Sequence, residues 1–139
     1  MTTAIHSTTD IEVRYAETDQ MGIVHHSNYV VWFELARTNF CALSGHHYAD
    51  IERLGFRLVV TKVEARYVAP ARYGDTVRIE CWIDRQGSRG VRFAYAVLRG
   101  EERLATGATE HIWCNHDGKP CRAPEVLRQA FAAMADGED

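Results

Sequence analysis

Positive charge is not in excess in this sequence. Lys and Arg number 16 against 19 Asp and Glu, leaving a net charge of -3 over 139 residues. That argues against a nucleic-acid-binding module or a protein drawn to an anionic membrane. A few local arginines can still hold a small phosphorylated ligand. No apolar run is long enough to span a bilayer, and the N-terminus lacks the basic, apolar, small-residue order of a secretory signal. The expectation is a cytoplasmic protein whose four cysteines, Cys41, Cys81, Cys114 and Cys121, are free thiols. Repeats, low-complexity tracts and linkers are also lacking, so residues 1–139 read as one domain, with 1–9 polar and mobile.

Apolar residues make up 46% of the chain, enough for a core of its own. "IEVRY" alternates as a half-buried strand, with Ile11, Val13 and Tyr15 on one face. Ser27 and Gly45 bracket a helix as N-cap and stop. Its apolar residues cover most of the circumference, which predicts burial on nearly every side. Four strand-like stretches follow: 57–69 (with Thr61, Val63, Ala65 and Tyr67 on one face), then "TVRIECWID", "VRFAYAVLR" and "RLATGATEHIWCN". Tight connections predict that these are antiparallel neighbours. "PEVLRQAFAAMA" reads as a short amphipathic helix. The fold class is therefore α+β, a curved antiparallel sheet of about five strands wrapped on one long helix. Its open edges favour pairing between two copies.

The chemistry gathers just before that helix. Asp19 lies in a loop ending at a helix N-terminus, where backbone N–H groups lack partners and the dipole is positive. Such an end accepts a developing oxyanion, and an adjacent carboxylate acts as nucleophile or as base on water. Gly22 allows a tight turn and close backbone approach. His26 offers its N–H or its ring, and the Tyr15 hydroxyl, placed on the inward strand face, would orient the carboxylate or substrate. Glu17 reads as solvated. These parts suit acyl transfer to water without fixing the substrate. The cysteines and histidines of "HIWCNHDGKPC" match no common zinc spacing, so no metal is expected.

"Y-x-x-x-D-x-x-G-I-V-x-H-x-x-Y", comprising Tyr15, Asp19, Gly22, Ile23, Val24, His26, Asn28 and Tyr29, is similar to the signature of hot-dog-fold acyl-CoA thioesterases of the 4-hydroxybenzoyl-CoA thioesterase and YbgC type. "FELAR" and "YVAPARYGDTVRIECWI" extend the likeness to nearly the whole chain. The resemblance implies a hot-dog fold and a homodimer, often doubled to a homotetramer, with active sites between subunits. It implies catalytic roles for Asp19, His26 and Tyr15, the His26 N–H being an oxyanion donor. Gly22, Val24 and Tyr29 fall at substrate-binding positions. Coenzyme A enters only as part of the substrate, with Arg66, Arg72, Arg89 and Arg92 as candidate phosphate contacts. The alternatives are a non-catalytic acyl-thioester binding module and a thioesterase for carrier-protein-bound acyl chains.

Overall fold

A computed structural model describes residues 4–136. In chain order it contains β1 (Ser7–Glu12), a 3-10 turn (Tyr15–Glu17), α1 (Ser27–Leu43), α2 (Tyr48–Arg53), β2 (Phe56–Tyr67), β3 (Thr76–Gln86), β4 (Gly90–Arg99), β5 (Glu102–Asn115) and α3 (Glu125–Asp136). The strands form one sheet of order β1-β3-β4-β5-β2, antiparallel throughout.

Alternation sets the inner face. Val77, Ile79, Cys81 and Ile83 of β3 and Val91, Phe93, Tyr95 and Val97 of β4 are all buried there. Across them lies α1, which turns in Tyr29, Trp32, Phe33, Ala36, Phe40 and Cys41. That is the spacing of one helical stripe, so α1 is not enclosed on nearly every side. Val31 and Leu35 are exposed. The Phe33 ring stacks on Tyr95 with centroids 4.4 Å apart, and Phe40 meets Phe93 edge-on. Gly107 of β5 makes this approach possible: a Cβ there would lie 2.5 Å from the Phe33 ring. α3 closes one end of the core with Leu127, Phe131 and Met134.

Several sequence expectations change. β1 begins at Ser7 and buries Ser7 and Thr9, so residues 7–9 are strand although polar. The reading of residues 1–3 as mobile lies outside the described residues. β1 stops at Glu12, and Tyr15 opens the 3-10 turn instead of sitting on an inward strand face. α1 starts with Ser27 and has His26 as its N-cap residue, while Gly45 (φ 86°) lies just past its end as expected. α2 was not foreseen, since six residues with only Ile51 buried carry too little periodicity. β2 has an irregularity between Val60 and Lys62, so Val60 instead of Thr61 shares the inner face with Val63, Ala65 and Tyr67.

β2 and β3 are not neighbours. β2 pairs only with β5, at the sheet edge opposite β1. Residues 68–75 therefore cross the sheet instead of making a hairpin. This crossover is held by Val68 and Ala69 N–H to the Leu104 carbonyl, and by Val13 N–H to the Asp75 carbonyl. Its path brings it beside the loop that precedes α1.

Candidate active site

Residues 18–25 form a small hairpin. Thr18 bridges Val24, Asp19 N–H donates to the Ile23 carbonyl at 2.9 Å, and His25 N–H donates to the Glu17 carbonyl at 2.9 Å. Gly22 closes the tip at φ 79°, donating its N–H to the Asp19 carbonyl. The returning arm is tied to the crossover: Ile23 bridges Arg72, and Val24 N–H donates to the Ala71 carbonyl at 2.9 Å. Asp19 thus sits on one arm, and the other arm runs directly into α1.

At that junction Ser27 N–H donates to His25 Nδ1, Asn28 N–H to the His25 carbonyl and Tyr29 N–H to the His26 carbonyl. Among the described residues, no acceptor takes the His26 N–H. One Asp19 oxygen, Oδ1, accepts the Met21 N–H at 2.9 Å.

A cavity of ≈ 350 Å³ opens between this hairpin and the crossover. Asp19, Val24, His26 and Tyr29, all anticipated from sequence, line it together. Met21 and Ile23 join them from the hairpin, and Tyr67, Val68, Ala69 and Pro70 from the far side. Asp19 is the one acidic or basic side chain in that wall, His26 aside; the rest are mostly apolar, as ligand pockets commonly are. Gly22 shapes the hairpin without lining the cavity. Tyr15 also stands outside it, exposed and edge-on to Tyr73 at 5.8 Å.

Tyr67 was placed by sequence on a strand face and not in a site. Its hydroxyl donates to the His26 carbonyl at 3.1 Å, and its ring lies edge-on to Tyr29 with centroids 5.0 Å apart. Burial raises the pKa of both phenols, which keeps them neutral donors. An aromatic at the end of a strand just before "VAP" was the available signal.

Glu17 is buried at 4% exposure, correcting its reading as solvated. Its Oε1 accepts the Arg14 N–H at 2.8 Å, and its Oε2 accepts the Trp32 indole N–H at 2.9 Å. The Arg14 guanidinium lies 3.5 Å away. Burial pushes this carboxyl up, but the Arg14 and Trp32 donors outweigh it and hold the group below the ordinary carboxylate range.

Arg92 is ion-paired on the outer sheet face with Glu64 at 2.5 Å, Glu110 at 2.6 Å and Asp84 at 2.9 Å, away from the Asp19 cavity. Arg89 lines a separate, more polar cavity of ≈ 470 Å³ at the β3–β4 turn. Arg72 is exposed beside the site. Among the described residues no three His, Cys, Asp or Glu side chains converge as metal ligands, and no helix is long and apolar enough to cross a membrane.

Known proteins share this architecture. The family model described as "Thioesterase-like superfamily" matches residues 13–131. A Bacillus subtilis protein named "Putative acyl-CoA thioesterase YneP" is 38% identical over 122 residues, covering 88% of this chain and 87% of its own. The acyl-CoA thioester hydrolase YbgC of Escherichia coli O157:H7 is 32% identical over 108 residues, 75% of this chain and 78% of its own. Among solved structures, a DHNA-CoA thioesterase from Staphylococcus aureus superposes with a TM-score of 0.89 at 33% identity, covering 94% of this chain and 91% of that one. With the match running from just after β1 into α3, the chain belongs to the thioesterase-like superfamily and has its hot-dog fold.

Proposed function

We propose that this protein is an acyl-CoA thioesterase, hydrolysing a thioester to a free acid and coenzyme A. The observation that carries the reading is that Asp19 and His26 line one largely apolar cavity, and that the His26 N–H has no acceptor among the described residues. The acyl group enters that cavity with its carbonyl oxygen towards the His26 N–H. Charge developing on the oxygen is stabilised by that donor and by the positive end of α1. Asp19 then acts in one of two ways. It attacks the carbonyl carbon, expelling the thiolate and leaving a mixed anhydride that water hydrolyses; or it takes a proton from water, whose oxygen attacks, and the tetrahedral adduct collapses by breaking the C–S bond, the thiolate leaving with that proton. The names of the B. subtilis, E. coli and S. aureus relatives support coenzyme A as the leaving group.

The reading includes a second copy. The inner face of edge strand β2 carries Val60 and Val63, exposed at 44% and 41%, and Tyr67, 46% exposed although its ring meets Tyr29 of α1. Val31 and Leu35 of α1 are exposed as well. Pairing through the β2 edge would cover this surface and remove an open strand edge. Tyr15, outside its own cavity, would contribute once the site is completed in that assembly.

Thiol release from a panel of aromatic and aliphatic acyl-CoAs tests the function. Wild type should turn over at least one of them, and Asp19→Asn should lose roughly 10²–10⁴ in kcat while folding normally. Full activity of Asp19→Asn would remove the carboxylate from the reaction.

A further inference from the structure

Glu17 joins three parts of the molecule at once. Its carboxylate reaches the link after β1 through Arg14 N–H and the first turns of α1 through Trp32, fifteen residues on. Its carbonyl accepts the His25 N–H and the Asn28 side-chain amide, both at 2.9 Å. These are the residues on either side of the His26–Ser27 step. Asp19 follows two residues later on the same arm. One residue therefore clamps both arms of the hairpin at its base, the Asp19 arm by sequence and the His26 arm by hydrogen bonds.

The anchor is rigid for a physical reason. A buried carboxylate with its donors removed is costly, so this one is held to its partners. Trp32 is itself buried, packed against Tyr29 at 4.8 Å, and Tyr29 meets Tyr67 on the cavity wall. Glu17 does not line the cavity, and so does not touch substrate.

We propose that Glu17 is a positioning residue, fixing the separation of the Asp19 carboxylate from the His26 amide through its bonds to Trp32, Arg14, His25 and Asn28. The inference rests on the thioesterase reading of Asp19. A misplacement near 1 Å at a reacting group costs up to roughly 10²-fold in rate. The loss should fall on kcat, because the cavity wall that binds the acyl group is unchanged.

The test uses the full-length protein with the acyl-CoA that wild type hydrolyses best. Glu17→Gln faces one of its N–H donors with an amide N–H, and Trp32→Phe removes the indole donor while keeping a ring against Tyr29. Each is expected to lower kcat roughly 10- to 100-fold with KM moved less than about threefold. Added to Asp19→Asn, Glu17→Gln should cause no further loss, since it acts through Asp19. Wild-type kcat in a folded Glu17→Gln or Trp32→Phe protein overturns the proposal, as does a loss that multiplies fully with that of Asp19→Asn. If Glu17→Gln does not fold, Trp32→Phe decides alone. A fully active Asp19→Asn would instead sink the thioesterase reading itself, and the role of Glu17 with it.

Discussion

The hydroxyl of Tyr67, at the end of β2, donates to the backbone carbonyl of His26 at the start of α1, across 3.1 Å. Forty-one residues separate the two in sequence. The bond ties the sheet's open edge to the peptide that begins the helix. The same residue carries the N–H proposed as oxyanion donor, so the edge strand is mechanically linked to that position.

Tyr67→Phe removes this bond and leaves the ring against Tyr29. A single neutral hydrogen bond is worth about 0.5–1.5 kcal/mol, which corresponds to a loss of roughly 2- to 10-fold in kcat. Steady-state kinetics on the preferred acyl-CoA would read it. A wild-type rate would mean that the helix start is held adequately without Tyr67.

Tyr15→Phe separates an exposed hydroxyl from the fold. Tyr15 is 77% exposed, and its hydroxyl makes no hydrogen bond among the described residues. The melting temperature should therefore stay where it is. A fall in kcat is expected if the assembled site uses the hydroxyl; an unchanged rate removes Tyr15 from the site.

Gly107→Ala should destabilise the fold. The new Cβ would meet the Phe33 ring at 2.5 Å and the Glu64 carbonyl oxygen at 2.9 Å. Phe33 is stacked on Tyr95 and fully buried, so it has little room to give way. Overpacking of this kind costs about 1–3 kcal/mol, read as a lower urea midpoint. A midpoint equal to wild type would show that α1 can shift away from the sheet without loss.

His111 predicts acid sensitivity. Burial, with the Arg37 charge, pushes this imidazole from an ordinary 6.5 down to about 3. Its Nε2 lies 2.8 Å from Thr109 Oγ1. Below pH 6.5 the unfolded chain binds a proton that the folded protein refuses until about pH 3. The stability held by neutral His111 is thus whole above pH 6.5 and is lost as pH falls towards 3, by up to about 1.4 kcal/mol per pH unit. Urea midpoints at neutral and mildly acid pH should drop further for wild type than for His111→Gln. Equal drops would place the acid response elsewhere.

Asp19 and His26 on one cavity could be anticipated because a loop and the helix start it leads into are local features; Val24 and Tyr29 came with the family resemblance. Gly22 and Gly45 marked turns for the same reason. The missing half of the cavity, Tyr67 to Pro70, depends on the crossover between β2 and β3. Its tight-turn residues read as a hairpin, since local chemistry records that a chain turns and not how far it travels.

The sequence alone determined which residues of β3 and β4 face inward, where α1 lies, and which short segment supplies one side of the cavity. Side-chain periodicity and chain-local turn chemistry decide those matters. Only the tertiary structure decided that β2 is an edge strand paired to β5, that Tyr15 lies outside the cavity, and that Glu17 is buried. The reason is that burial of a polar group depends on donors arriving from elsewhere in the chain. For Glu17 the distant donor is Trp32, brought within reach only when α1 docks on the sheet.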